Sequence, residues 1–345
     1  MSGLVFFSSL IISWGVSGLI SRFGEKLGII DDPKTHNLPK VTHKYPVPRG
    51  GGLPIFLATS LTLLFTQPVS TVLVGIVGSL TLLAGVGFLD DRFEEKVSPL
   101  FRLGINILAA AIVIACGIGI AFISNPLGGI INLNWMVADT LALVWLVSMQ
   151  NIVGWSSGVD GQLPGFVIIA AVTMGVIGYR LGVDPKTDFG FLLAMTTAGA
   201  YLGFLPWNWY PQKIMPGYGG KSMAGFLLGI IAILSTAKVG ALVMVLGIPL
   251  LDAARVIFKR IFEKRSPFLG GREHLHHYLL DMGWSPRSIS ILYLLTSLAF
   301  AILAINLNTQ LKYFTMAIIT LGVGGLLLWL QKSSISSKRH GQDSG

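Results

Sequence analysis

Hydrophobic positions in this chain come in long blocks separated by short polar connectors. Eleven blocks are long enough, or nearly so, to cross roughly 30 Å of hydrocarbon at about 1.5 Å per residue. They centre on residues 3–21, 53–69, 71–89, 103–123, 137–153, 163–180, 189–206, 222–236, 239–257, 288–306 and 312–331, the fifth and eighth being short. The pattern predicts an all-α, polytopic integral membrane bundle of about eleven transmembrane helices, forming one domain over residues 1–332, with a disordered tail over 333–345. The first block has no basic leading region and is too long for the apolar core of a signal peptide, so it is expected to stay in the mature protein.

Composition sharpens this. Hydrophobic residues make up 52% of the chain and charged residues 12%, half the share of an ordinary soluble domain. The single cysteine, Cys116, lies in an apolar block, which excludes an intrachain disulfide and a thiolate metal cluster. A net charge of +9 raises the question of nucleic acid, but the basic residues fall in connectors and form no face of a soluble domain, so no nucleic-acid partner is expected.

Twenty of the 25 Lys and Arg fall in residues 22–52, 90–102, 207–221, 258–287 and the tail; the alternate connectors hold only Arg180, Lys186, Lys238 and Lys312. Positive residues collect on the cytoplasmic side, so the amino terminus is predicted outside and the carboxyl terminus inside, at the cell (plasma) membrane. All six histidines and the pair Asp90-Asp91 then share the cytoplasmic face. Topology accounts for the positive connectors; it does not ask for clustered histidine and carboxylate.

Asp90-Asp91 follows at once on the block ending at Leu89. Carboxylates are costly in hydrocarbon, so the pair should sit at the membrane surface. There it is either solvated, as expected of Glu94 and Glu95, or a site for a divalent cation, since Mg²⁺ commonly takes one or two carboxylates and fills its octahedron with phosphate and water. The first connector offers Lys40, His43, Lys44 and Arg49 ahead of Gly50-Gly51-Gly52, donors and close backbone suited to phosphate oxygens; a basic connector lying on anionic lipid has the same composition. Asn151 and Asp160 flank a glycine-rich turn that could hold a base or ribose or be only a turn. Residues 207–221 add Asn208, Lys213, Lys221 and aromatic rings. Arg272 with His274, His276 and His277 suits phosphate contact or proton transfer better than zinc, because no cysteine is near and the arginine repels a cation.

The order of these motifs resembles the polyprenyl-phosphate N-acetylhexosamine-1-phosphate transferases, which include phospho-N-acetylmuramoyl-pentapeptide transferase and the initiators of surface-polysaccharide synthesis. The resemblance runs from Asp31 through Arg49 and the glycines, Asp90-Asp91, Asn151 to Gly165, Asn208 to Gly225, and Pro249 to Arg260 with Asp252, to His274-Leu275-His276-His277. It implies a cytoplasmic site joining a UDP-activated N-acetyl sugar to undecaprenyl phosphate or a similar lipid, releasing UMP, with Mg²⁺ or Mn²⁺; a homodimer is common in the family. On this resemblance Asp91 and Asp160 stand near metal and diphosphate. Asp90 deprotonates or orients the lipid phosphate. His274, His276, His277 and Arg272, with His43, Lys44, Arg49 and Lys213, meet phosphate oxygens, while Asn151 and Asn208 seat the nucleotide.

The chain departs from the family pattern at named places. Ser157 stands at one usual acidic position and Gly154 at a usual Asn. Pro216-Gly217-Tyr218 replaces Met-Gly-Asp, and Gly271 stands where an aspartate often precedes the histidine box. A catalytically impaired homologue that binds lipid phosphate or a partner enzyme would explain the missing acids. A secondary transporter would place ionisable groups near the bilayer midplane, whereas Asp139, Lys238, Asp252 and Arg255 lie near the ends of apolar blocks. Which sugar is carried is not encoded in any motif.

Overall fold

The computed structural model describes residues 2–34, 43, 45–93, 97–125, 128–182, 184, 188–235, 239–266 and 271–342. Every apolar block but 103–123, which is helical only as far as Ala115, coincides with a helix or a helix pair. In chain order these are α1 Ser2–Leu27, α2 Gly52–Thr66, α3 Thr71–Arg92, α4 Pro99–Ala115, α5 Trp135–Trp155, α6 Gln162–Arg180, α7 Phe189–Asn208 and α8 Gly217–Leu234. Then follow α9 Val239–Val245, α10 Gly247–Phe262, a short α11 Leu275–Asp281, α12 Pro286–Asn306 and α13 Thr309–Gln342. Hydrocarbon offers no partner to a free N–H or C=O, so each crossing segment must satisfy its backbone internally. Several starts are fixed locally, by the side chains of Ser70, Ser98, Asn134 and Ser285, each accepting the N–H of the residue three positions on.

Eight helices are long and apolar enough to cross a membrane among the described residues; α2 and α4 are shorter apolar helices. The chain is a multi-pass membrane protein. Large apolar side chains such as Leu4, Phe7, Ile11, Leu295 and Ile302 point outward, where lipid rather than water suits them. Inside, α8 is buried along nearly its whole length, ringed by α2, α3, α5 and α7.

Three expectations need correction. The block 103–123 is not one helix: α4 ends at Ala115, Gly117 adopts φ +101°, and the chain turns into an antiparallel hairpin of β3 (Phe122–Ser124) and β4 (Ile130–Asn132). The block 239–257 is broken at Leu246, where α9 and α10 meet at an 85° bend. Pro249 has no N–H to offer the Val245 carbonyl and its ring crowds that oxygen, so a straight helix cannot pass. A second small pair, β1 (Ile30–Asp31) with β2 (Val47–Pro48), closes the first connector. At the far end, α13 continues helical to Gln342, through most of the segment expected to be a disordered tail.

One contact sets the geometry of the site. A Cβ added at Gly87 would lie 2.6 Å from the Gly219 Cα, and one at Gly52 2.9 Å from the Gly220 nitrogen. Thus α2, α3 and α8 touch backbone to backbone. The last turn of α3, with its two aspartates, is thereby pressed against the first turn of α8.

Candidate active site

The connectors at one end of the bundle enclose a cavity of about 450 Å³. Asp90 and Asp91 reach it from the last turn of α3. Carboxylates at a helix C-terminus face the negative end of the peptide dipoles, so other groups must stabilise them. Arg102 of α4 does so for Asp90, with Nε 2.6 Å from Oδ1. For Asp91 it is the start of α8: the Tyr218 N–H donates to Asp91 Oδ1 over 3.2 Å. Gly217, at φ +62°, lets the chain turn there, and a Cβ on it would overlap the Asp91 carboxylate.

The connector between α5 and α6 brings Asp160. Its Oδ2 accepts the Gln212 N–H at 3.0 Å, its carbonyl accepts Ser290 Oγ at 2.6 Å, and Gln162 Oε1 accepts the N–H groups of Gly158 and Val159 at 3.2 Å each. This loop is therefore tied to α6, α12 and the segment after α7. Burial pushes the Asp160 carboxyl up to about 6, against the pull of the Gln212 N–H. Ser157, at the usual acidic position, turns its hydroxyl back onto the Gly154 carbonyl at 2.7 Å.

A third wall comes from α10 and α11. His274, His276 and His277 line the cavity; the rings of His274 and His276 are stacked at 5.7 Å, and His276 and His277 lie 4.3 Å apart. The His276 ring lies against Gly158, where any Cβ would overlap it. Asp252 holds His274 Nδ1 at 2.9 Å and accepts the Leu275 N–H at 3.0 Å. Glu273 is gripped by Lys259 (2.8 Å) and Arg260 (2.7 Å); burial alone would raise its carboxyl, but these two cations hold it down at about 2.

Burial depresses both inner histidines, helped at His276 by the neighbouring His277 and His274, and at His277 by Arg272 and His274. His277 is lowered from 6.5 to about 4. The unfolded chain then binds more protons than the folded one between these values, so stability falls as pH falls through that window, by up to about 3 kcal/mol for His277. The detergent-solubilised protein should accordingly lose apparent Tm between pH 7 and pH 5, and His277→Asn should remove a measurable part of that slope.

Of the other residues singled out in the sequence, Arg49 and His43 line the cavity beside buried Asp31. Arg49 Nη2 lies 2.6 Å from Asp31 Oδ2, and His43 Nε2 lies 3.7 Å from Oδ1. Asn151 also lines it. Asn208 does too, but its amide is committed elsewhere: Oδ1 accepts the Gly161 N–H at 3.1 Å, and Nδ2 donates to Gln212 Oε1 and the Ile214 carbonyl. It is a latch between two loops rather than a free nucleotide contact. Lys213 and Arg272 are not part of the lining. Lys213 lies over the Trp207 ring at 5.6 Å, and Arg272 pairs with Asp281 at 2.5 Å on the exposed side of α11. Lys44 lies outside the described residues.

The structure adds Arg102, Asn106 and Gln150, and it places Asp31, Lys221 and Arg260, named above only within longer stretches, in the lining. Tyr218 donates its phenol to Asn106 Oδ1 at 2.7 Å, and Ser222 bonds both Asn106 Oδ1 (2.7 Å) and Gln150 Oε1 (3.1 Å). Asn106 and Gln150 interrupt apolar blocks, where an amide is costly unless bonded; that was the available signal.

Four acids, Asp31, Asp90, Asp91 and Asp160, face four bases, Arg49, Arg102, Lys221 and Arg260, around histidines of which His276 and His277 are held neutral. Among the described residues no three His, Cys, Asp or Glu side chains gather into a ready-made metal cage. Carboxylate oxygens, as on Asp91 and Asp160, are the donor type a hard divalent cation takes when phosphate and water complete its shell.

Residues 73–236 match the sequence profile of glycosyl transferase family 4. Over 330 residues the chain is 28% identical to a probable undecaprenyl-phosphate N-acetylglucosaminyl 1-phosphate transferase of Bacillus subtilis, covering 92% of this chain and 87% of that protein. It is 28% identical to a decaprenyl-phosphate N-acetylglucosaminephosphotransferase of Mycobacterium leprae (84% and 79% covered). It is 27% identical to an undecaprenyl-phosphate alpha-N-acetylglucosaminyl 1-phosphate transferase of Yersinia pestis (81% and 76% covered). Taken with the aspartates, the glycine-bounded loop and the histidine box on one cavity, these matches make the chain similar to glycosyl transferase family 4 over residues 73–236, and to its polyprenyl-phosphate transferases over most of its length.

Proposed function

We propose that this protein transfers an N-acetylhexosamine 1-phosphate from a UDP-sugar to a polyprenyl phosphate, releasing UMP and starting a lipid-linked envelope glycan at the cytoplasmic face of the plasma membrane. The observation that carries this reading is the convergence of Asp90-Asp91, Asp160 and His274 to His277, nearly two hundred residues apart in sequence, on one cavity with balanced charge. The names of the relatives support it, and the excess of Lys and Arg in the connectors on that side supports the cytoplasmic placement.

Phosphoryl transfer asks mainly for alignment and neutralised charge. Arg49 and Lys221, with Arg260, supply positive charge to two phosphate groups, while neutral His276 and His277 can donate hydrogen bonds without adding charge. Asp90, held by Arg102, suits orienting that guanidinium better than abstracting a proton. Asp91 and Asp160 would hold Mg²⁺ or Mn²⁺, which when bound offsets the charge of the diphosphate.

The test is direct. Purified protein in lipid nanodiscs, given undecaprenyl phosphate, Mg²⁺ and a panel of UDP-N-acetylhexosamines, should release UMP with at least one donor and lose that activity on chelation. Absence of UMP with every donor, from folded protein, would favour the catalytically impaired homologue, for which the engaged Ser157 and Tyr218 are the structural argument.

A further inference from the structure

The transfer needs a group that takes the proton of the incoming lipid phosphate, and the aspartate pair is poorly placed for it. Asp90 Oδ1 is already 2.6 Å from Arg102, and Asp91 Oδ1 receives the Tyr218 N–H. The inner histidines are no better, because His276 Nδ1 and His277 Nδ1 are buried without a hydrogen-bond partner and nothing fixes which nitrogen carries the proton. His274 differs. Its Nδ1 lies 2.9 Å from Asp252 Oδ2, while its Nε2 has no protein partner among the described residues and the ring lines the cavity.

We propose that Asp252 is a positioning residue that makes His274 the proton acceptor of the reaction. The proposal rests on the transferase reading above. Asp252 is itself over-determined: Oδ1 accepts the Arg255 guanidinium at 2.9 Å and the Leu275 N–H at 3.0 Å, which leaves Oδ2 for the imidazole. An acceptor-only carboxylate facing Nδ1 requires a proton there, so the lone pair sits on Nε2, toward the cavity. The groups around the ring are Asp252 and Arg255 from α10 and His276 and His277 from α11. Stacking against neutral His276 keeps the ring plane fixed at 7° to its neighbour.

The step balances as follows. The phosphate proton passes to His274 Nε2, and the freed oxygen forms a bond to the β-phosphorus of the nucleotide sugar. The bond from that phosphorus to the bridging oxygen breaks, and UMP departs with the electron pair. The imidazolium formed is stabilised by Asp252, as in other carboxylate–histidine pairs.

Asp252→Asn preserves shape and can still accept from Leu275 and Arg255 with its oxygen, but then turns an N–H₂ donor toward Nδ1 and forces the proton onto Nε2. The expected result is a fall in kcat of about 10²–10⁴-fold with KM for the UDP-sugar changed by less than about threefold, and partial recovery in Asp252→Glu. A raised KM with unchanged kcat, or full turnover, in Asp252→Asn that unfolds at the wild-type temperature would overturn the proposal. A second measurement needs no turnover. In ¹⁵N-histidine-labelled full-length protein, with His274 assigned by its loss in His274→Gln, two-bond proton–nitrogen correlations should show the Nδ1–H tautomer in wild type and its replacement in Asp252→Asn. An Nε2–H tautomer in wild type sinks the dyad even if UMP is released; a wild type that releases no UMP but shows Nδ1–H sinks the transferase reading and leaves the dyad as a structural pair.

Discussion

Asp91→Asn is expected to lower UMP release by about 10²–10³-fold while leaving thermal unfolding in detergent within a degree or two of wild type. The asymmetry follows from what the side chain does in the fold. Its one hydrogen bond comes from the Tyr218 N–H, which an Asn oxygen accepts equally well, so the turn at Gly217 and the start of α8 survive the change. What disappears is a carboxyl group facing Arg49 and Lys221 across the cavity, and with it an oxygen ligand of the kind a divalent cation takes. Asp281→Asn, on the exposed side of α11, makes the control, since its partner Arg272 is not part of the lining. Full turnover by Asp91→Asn would remove the aspartate from the chemistry.

Gly158→Val should be as damaging to activity, about 10²-fold, by a purely geometric route. No side chain fits between the Gly158 Cα and the His276 ring, so one of the two must move. The loop resists, because Gln162 holds the N–H groups of Gly158 and Val159 while Gln212 and Ser290 hold Asp160. The ring resists too, buried against His277 and stacked on His274. Overpacking of this kind costs about 1–3 kcal/mol of stability as well. Adding His276→Ala opens room for the new side chain, so the double variant should regain much of the lost Tm yet stay as inactive as the single one. If Gly158→Val alone keeps wild-type kcat, the histidine box and the Asp160 loop are not held in mutual register.

The chain gave away its helices because hydrocarbon imposes one requirement on all of them, a satisfied backbone over about twenty residues, and apolar blocks record that requirement directly. Where the reading failed, a local backbone event cut across a uniform composition. Gly117 ends α4 inside an apolar run, and α10, which begins two residues before Pro249, turns away from α9 by 85°. Proline after Gly247 was a visible sign of the second break; the hairpin of β3 and β4 had none beyond its glycines.

The site was legible as far as chemistry concentrates in the connectors. Asp90, Asp91, Asp160 and the three histidines could be named because carboxylate and imidazole have no topological reason to be there. Arg102, Lys221 and Arg260 could not be told from other positive connectors, since the rotation of α4, α8 and α10 decides which cation faces inward. Arg272, two residues from His274, lies in the connector ahead of α11 and pairs with Asp281 away from the cavity. Asn208 shows the converse: the right residue type at the rim of the cavity, with every hydrogen bond its amide can comfortably make already directed at Gly161, Gln212 and Ile214.

The three walls of the pocket are drawn from stretches as distant as Asp31 and His277. A nascent chain threading into the bilayer therefore presents its aspartates long before its imidazoles have left the ribosome, and has nothing with which to begin a glycan until synthesis has passed α11. A chain truncated ahead of that helix lacks one wall of the pocket and is expected to release no UMP.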